Sequence, residues 1–363
     1  MMRLSPALLF GPALLFGAVW LLTGCAGPGY YAQAVSGHLD LMRARRDVAA
    51  VLADRSTGAE LRQSLQTAAE IRAFAVSRLG LPDNGSFTEY AHTGREAVTW
   101  NVVAAPEFSL EPRHWCFPLA GCVPYRGYFD PLDAERLAAR LAGKGNDVAV
   151  SPALAYSTLG WFRDPLLDTM FRYSEEQLAG IVFHELAHQK LYVKGDAAFN
   201  ESYATFIEEI GVMLWLDSSG RAERLPEWRR RRQATADFTA LLDETRGELA
   251  RVYASAEAPP QKRIEKAAAF ATLEERYRAS VQAHSLGADY FSSWFDAPPN
   301  NARLALFESY RGGTCSFAAL YEAAGKDLAD FQALAAEQAA LGKAARRAWL
   351  EQPCGVIAPR PDL

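Results

Sequence analysis

The sequence predicts an α+β fold that is predominantly helical, with a small β-sheet and packed C-terminal helices. Apolar residues recur three and four positions apart over about residues 31–79 and again from residue 174 onward, as in amphipathic helices. Between these parts, residues 97–105, 125–129 and 147–150 are short runs typical of strands, and residues 130–141 are predicted to form a helix between two of them. Helical composition returns over about 225–350, where no apolar heptad persists across the two proline pairs, so packed helices are favoured over a coiled coil.

The size and net charge of the chain limit the classes of function that it can have. The chain has 363 residues, half of them apolar, which is enough for one large domain or two ordinary ones. The formal net charge of -5 gives no support to binding nucleic acid through bulk electrostatics. The one basic run, residues 229–232, lies among mixed charges and is interpreted as a solvated helix face.

The N-terminus has the pattern of an export signal. One positive charge at Arg3 precedes an uncharged apolar run over residues 7–22. The run is shorter than the roughly 20 residues that span a bilayer, which argues against the alternative of a transmembrane anchor. It ends in the residues LTGC, which resemble a bacterial lipobox. This resemblance implies that Cys25 is lipidated and anchors the mature protein, and the absence of an aspartate at Ala26 favours the outer membrane, facing the periplasm.

Four cysteines remain if Cys25 is lipidated, an even number in an oxidising compartment. The residues between Cys116 and Cys122 include a proline and a glycine that suit a tight loop, so we predict a disulfide between these two cysteines. Cys315 and Cys354 are then the remaining pair. A structural zinc knuckle is the alternative, but it needs more ligands than the one nearby histidine supplies.

The stretch FHELAH, residues 183–188, falls within a predicted helix. Ser174 and Gln177 have the spacing of a capping box at its start, and Gly195 is placed to close it. On a helix, residues four apart project from the same face. The two histidines of FHELAH can therefore reach one metal ion together.

The residue types of this stretch point to a hydrolytic zinc site. His184 and His188 are the candidate ligands, and Glu185 lies beside them, where its carboxylate can reach a water molecule on the metal without binding the metal itself. The alternative is a helix face with two histidines that bind no metal. Because zinc with an open position usually has three protein ligands, a third donor is required.

Glu201 is the predicted third ligand. Asp196 is a good N-cap for a second helix, and if the two helices fold back on each other, Glu201 and His188 lie at similar heights. Glu208 is seven residues further along and thus on nearly the same face. Spacing alone leaves Glu208 open as an alternative ligand, or as a carboxylate outside the ligand set.

The run HELAHQKLYVKGDAAFNESYATFIEEIG resembles the gluzincin arrangement, in which His-Glu-x-x-His is followed on a second helix by Asn-Glu-x-x-Ala, here Asn200 to Ala204. Together with the lipobox and the runs WCFPLAGCVPYRGYFD and AYSTLGWFRDPLLDTM, it resembles a family of bacterial lipoproteins described as putative aminopeptidases, over most of the mature chain. The resemblance implies a gluzincin-like zinc-peptidase core in which His184, His188 and Glu201 hold Zn2+ and Glu185 is the catalytic base. Only twelve residues separate His188 from Glu201, fewer than in the well-known gluzincin peptidases, so details of the substrate cleft do not carry over.

These residues support hydrolysis of a peptide bond. Zinc lowers the pKa of a bound water to about 7 and polarises the scissile carbonyl, while the base takes and later delivers a proton. A further group should stabilise the oxyanion, and Tyr310 is the candidate, with Tyr156 or Tyr203 as alternatives. By analogy with gluzincins, the segment leading into Tyr156 is expected to bind the substrate in extended form.

The sequence therefore predicts an envelope lipoprotein that is a zinc-dependent metallopeptidase with peptide substrates. The word aminopeptidase comes from the family description. An endopeptidase acting on envelope proteins is one alternative, and a non-enzymatic lipoprotein scaffold with a structural or idle metal site is another. The predicted organisation is a signal peptide (1–24), an N-terminal helical region (25–96), a small sheet with the zinc-binding helices (97–216) and a C-terminal helical region (217–363).

Overall fold

The computed structural model describes residues 27–117, 121–155, 163–283, 290–308 and 313–352. Within these ranges, helices predominate over a few short strands, which confirms the predicted α+β, predominantly helical class. The helices are α1 (Pro28–Arg43), α2 (Val48–Ala53), α3 (Ala59–Ser77), α4 (Pro131–Ala142), α5 (Glu175–Lys190), α6 (Ala197–Ser218), α7 (Leu225–Ala254), α8 (Pro259–Ala283), α9 (Asn301–Glu308), α10 (Thr314–Ala323), α11 (Leu328–Ala340) and α12 (Lys343–Leu350). The strands are β1 (Arg45–Asp47), β2 (Glu89–Ala91), β3 (Thr99–Pro106), β4 (Trp115–Phe117), β5 (Gly121–Val123), β6 (Arg126–Tyr128), β7 (Asn146–Ala153) and β8 (Leu166–Leu167).

The predicted small sheet has β3 at its centre, with β6 and β7 antiparallel on either side. Side chains of a strand alternate between the two faces, so Val102 and Val103 point in opposite directions. Val102 packs with Leu137 of α4, whereas Val103 packs with Ala302 and Ala305 of α9. Both faces of the sheet are therefore covered by helices.

A second sheet joins two strands of the predicted N-terminal helical region, β1 and β2, to β8 of the central region. Its order is β1-β2-β8, and the central strand β2 is antiparallel to β1 and parallel to β8. Each of these strands has two or three residues, too few to show alternation, and β1 reads Arg-Arg-Asp. The expectation of helices through residues 31–79 was wrong over β1 for this reason.

The hairpin of β4 and β5 carries the predicted disulfide. Cys116 lies opposite Cys122 in the register of the hairpin, and their sulfur atoms are bonded. The prediction of this pairing is confirmed. Cys315 is also disulfide-bonded, but its predicted partner Cys354 lies outside the described residues.

The largest hydrophobic core combines helices from the N-terminal, central and C-terminal parts of the chain. Ile71 of α3, Phe183 of α5, Phe199 of α6 and Phe317 of α10 are fully buried within it. Gly211 permits α5 and α6 to approach closely, because a Cβ at this position would lie 2.7 Å from the ring of Phe183. This core fixes the two helices that carry the candidate site.

Arg346 of α12 braces the start of α6. Its Nε lies 2.8 Å from Oδ2 of Asp196, and both side chains are buried. Asp196 in turn caps α6 by accepting a hydrogen bond from the backbone N–H of Phe199. The C-terminal helix thereby holds the N-terminus of the helix that carries Glu201.

Replacing Arg346 with alanine is expected to lower the free energy of unfolding by about 3 kcal/mol, because Asp196 is left buried without its ionic partner. Arg347→Ala is the matched control. Arg347 is 79% exposed and pairs with Glu351 at the C-terminal end of the same helix, so its loss should leave the stability nearly unchanged. Chemical denaturation of both variants measures the difference, and equal losses would show that the buried pair does not brace α6.

Among the helices of the described ranges, none combines the length and apolar composition needed to cross a membrane.

Candidate metal centre

Helix α5 begins as its capping signal predicts. Ser174 accepts a hydrogen bond from the backbone N–H of Gln177, and the Gln177 side chain accepts one from the backbone N–H of Ser174. This reciprocal capping box satisfies two N–H groups that have no partner within the helix. It fixes where α5 starts, and hence the direction in which the two histidines project.

The end of α5 differs from the prediction, because the helix stops at Lys190 and Gly195 lies in the connecting turn with φ of +77°. The physical reason is Asn200, which is buried in α6. Its Oδ1 accepts a hydrogen bond from the N–H of Val193 at 2.8 Å, and its Nδ2 donates to the Val193 carbonyl at 2.9 Å. These bonds hold the connecting segment in a turn and permit the short link between the histidines and Glu201.

His184, His188 and Glu201 converge on one point between α5 and α6. Nε2 of His184 lies 3.1 Å from Nε2 of His188 and 3.3 Å from Oε2 of Glu201. Nε2 of His188 lies 3.6 Å from Oε1 of Glu201. One potential ligand atom from each residue lies within 4.8 Å of the other two, so the three side chains could hold a metal ion together.

The spacing and chemistry of these donors fit zinc. A tetrahedral zinc ion with bonds of about 2.1 Å separates its ligand atoms by roughly 3.4 Å, close to the distances found here. Oε2 of Glu201 is buried and 3.3 Å from His184, yet it makes no hydrogen bond of normal geometry with any described residue. Two imidazole nitrogens and a carboxylate directed at a common point are a donor set that zinc accepts.

The electrostatics of the cluster couple the histidines to the carboxylates. Burial acts to lower the pKa of His184, but its contacts with Glu201 and Glu208 outweigh burial and raise this pKa to about 10. Burial acts to raise the pKa of Glu201, whereas its contacts with His184 and His188 lower this pKa to about 2. These contacts favour an anionic Glu201, which is the form that binds metal ions, and a protonated His184, which would release its Nε2 proton on binding one.

Glu208 lies on the other side of the His184 ring. Its Oε2 is 3.2 Å from Nδ1, the nitrogen directed away from His188 and Glu201. This geometry favours Glu201 over Glu208 as the third ligand. Glu208 instead contacts a candidate ligand from behind.

Glu185 follows His184 directly on α5 and has one buried carboxylate oxygen. Its Oε2 is buried and has no hydrogen-bond partner among the described residues. A buried carboxylate oxygen of this kind is unfavourable unless water or a ligand satisfies it. The negative charge of Glu185 helps to raise the pKa of His184, so its carboxylate lies near the cluster.

A family described as "Putative aminopeptidase" matches residues 29–350, a range that includes the two helices and all the residues of the cluster. The chain belongs to this family. No curated protein and no solved structure was found to match it. The family description implies a peptide substrate.

Of the tyrosines predicted to stabilise the oxyanion, only Tyr203 falls within the described residues, since Tyr310 and Tyr156 lie outside them. Tyr203 is 1% exposed and packs against the rings of Phe317 and Phe331. Its hydroxyl has no hydrogen-bond partner among the described residues. The side chain belongs to the core, so it does not contact a substrate.

Cys25, the predicted lipidation site, also lies outside the described residues.

Tyr125 is a candidate for a functional residue near the cluster that sequence reasoning missed. Burial raises the pKa of its phenol, and the negative charges of Glu201 and Glu185 raise it further. The phenol therefore lies within the electrostatic influence of both carboxylates, while 42% of the residue remains exposed. Tyr125 follows the disulfide-closed hairpin and precedes β6. Tyr125 lies in the run WCFPLAGCVPYRGYFD, which carries part of the family resemblance, but spacing along the chain does not relate this run to α5.

Proposed function

We propose that this protein is a zinc-dependent aminopeptidase anchored in the cell envelope. The observation that carries the proposal is the convergence of His184, His188 and Glu201, with the unpartnered carboxylate oxygen of Glu185 beside them. A structural metal site has no need of an adjacent proton acceptor. Membership of a family described as aminopeptidases supports a peptide as the substrate.

In the proposed mechanism, His184, His188 and Glu201 hold the zinc ion. When bound, zinc supplies a Lewis acid that polarises a carbonyl and makes water more acidic. Glu185 removes a proton from the attacking water and holds it on its carboxylate. Glu185 then donates this proton to the amine nitrogen as the peptide bond breaks.

Tyr125 is the proposed donor to the developing oxyanion. The raised pKa of its phenol keeps the hydroxyl protonated at neutral pH, so the group can donate a hydrogen bond. The charges of Glu185 and Glu201 act on this phenol, which supports its assignment to the cluster. Exposure of part of the ring is consistent with a side chain that borders a substrate cleft.

Tyr125→Phe is expected to lower kcat by about 10²–10³-fold, the usual effect of losing one oxyanion donor. Zinc affinity should not change, because the phenol is not a ligand. Steady-state kinetics and a zinc titration on the same preparation measure both quantities. Tyr31→Phe, on α1, is the control. An unchanged kcat for Tyr125→Phe would remove Tyr125 from the mechanism.

The choice between aminopeptidase and endopeptidase is tested with matched peptide mixtures, one with free N-termini and one N-acetylated. An aminopeptidase requires the free α-amine and should release products only from the first mixture. Equal cleavage of both mixtures would indicate an endopeptidase. Cleavage of neither, by a zinc-loaded protein, would favour the non-enzymatic scaffold.

Anchoring through Cys25 is part of the proposal, based on the lipobox-like residues LTGC. Cys25→Ser is expected to release the protein from the membrane fraction, because the acylated thiol is removed. Fractionation followed by immunoblotting measures the distribution. Unchanged membrane retention of the variant would indicate an uncleaved N-terminal helix as the anchor.

A further inference from the structure

His184 contacts a carboxylate at each of its two ring nitrogens. Nε2 faces Glu201 at 3.3 Å, and Nδ1 faces Glu208 at 3.2 Å. Glu201 and Glu208 are seven residues apart on α6, about two turns of helix, so they project from nearly the same face. The imidazole of His184 therefore lies between two carboxylates of the same helix.

We propose that Glu208 is a positioning residue that sets the tautomer and orientation of His184 for metal binding. A carboxylate at Nδ1 accepts the N–H at that atom, which leaves the lone pair of Nε2 directed at the shared point of the ligand cluster. Carboxylates in this role are known to increase metal affinity by 10–100-fold. The inference rests on the proposed zinc-dependent function and assigns Glu208 a role outside the ligand set.

Gly180 provides the space that Glu208 occupies. It lies one helical turn before His184 on α5, on the same face. A Cβ at Gly180 would lie 3.2 Å from Cγ and 3.3 Å from Oε1 of Glu208, closer than ordinary van der Waals contact. Glycine is unfavourable inside a helix relative to alanine. The Glu208 side chain occupies the space that a Cβ at residue 180 would need, which is a physical reason for a glycine at this buried position.

The neighbouring Glu209 offers a matched comparison. It follows Glu208 directly on α6 but forms an ion pair with Arg232 of α7, away from His184. Of the two histidines, His184 alone has a carboxylate at Nδ1 among the described residues. The Nδ1 atom of His188 is buried and has no hydrogen-bond partner among them. Any effect of Glu208 on the metal should thus be transmitted through His184.

The test is a competitive zinc titration of the full-length protein against a chelator, for the wild type, Glu208→Ala, Glu208→Gln, Gly180→Ala and Glu209→Gln. Glu208→Ala is expected to raise the zinc Kd by 10–100-fold. Glu208→Gln should have a smaller effect, because an amide oxygen can still accept the Nδ1 hydrogen. Gly180→Ala should also weaken zinc binding, although alanine favours the helix and should not lower the Tm of the metal-free protein.

The outcomes separate this inference from the proposed function. Tight zinc binding by the wild type and an unchanged Kd for Glu208→Ala would overturn the inference and leave the proposed function in place. Complete loss of zinc from Glu208→Ala, with zinc retained by Glu201→Ala, would overturn it by making Glu208 a ligand. A wild type that binds no zinc would contradict both. If Glu209→Gln raised the zinc Kd by as much as Glu208→Ala, the cause would be a general loss of negative charge. That result would overturn the positioning role of Glu208.

Discussion

Glu185→Gln is expected to lower kcat/KM for peptide hydrolysis by about 10²–10⁴-fold, the range for loss of a general base, while zinc remains bound. Glutamine has nearly the same shape as glutamate but cannot take a proton from water at neutral pH. The Oε2 atom of Glu185 is buried without a partner among the described residues, so the substitution breaks no protein hydrogen bond at that atom. Folding should therefore be preserved while the chemical step is lost.

A matched control for this substitution lies on the same helix. Glu176 is in the first turn of α5 and pairs with Arg224 rather than with the cluster. Glu176→Gln should retain the activity of the wild type. Metal analysis and kinetics of both variants measure the contrast, and full activity of Glu185→Gln would exclude Glu185 as the base.

Glu201→Ala is expected to weaken zinc binding by more than the 10–100-fold that follows loss of a group outside the ligand set. Two histidines four residues apart remain on α5, but a site with an open position normally uses three protein ligands. A ligand that binds only the folded state raises Tm by mass action. Zinc should therefore raise the Tm of the wild type and leave that of Glu201→Ala nearly unchanged.

Glu209→Ala provides the control for this second substitution, because it removes a carboxylate from the same helix without affecting the cluster. Zinc should raise its Tm as in the wild type. Thermal unfolding with and without zinc gives the comparison. A Tm of Glu201→Ala that rises with zinc by the wild-type amount would mean that Glu201 is not a ligand.

The parts of the site that sequence reasoning predicted depend on local rules. The capping box at Ser174 fixes the start of α5, and helical periodicity then brings His184 and His188 to one face. Asp196 as the N-cap likewise predicts where the second helix begins. Each of these signals is read within a few residues, so no knowledge of tertiary contacts is needed.

The parts that sequence reasoning missed depend on contacts between distant segments. Asn200 bonds to Val193 only once the two helices pack, and this contact ends α5 before Gly195. The charges of Glu201 and Glu185 act on Tyr125, which precedes a strand of the central sheet some sixty residues away along the chain, and spacing in the sequence does not relate these residues. The side of His184 that faces Glu208 is set by the orientation of an imidazole ring, which helical spacing does not determine.

The central claim is that His184, His188 and Glu201 hold a zinc ion beside Glu185. Anomalous diffraction measured on both sides of the zinc absorption edge, from crystals of the zinc-loaded protein, tests this claim most directly. We expect one peak between α5 and α6, at about 2.0–2.2 Å from Nε2 of both histidines and from a carboxylate oxygen of Glu201. The absence of a peak at this position, or a peak ligated by Glu208 in place of Glu201, would contradict the claim.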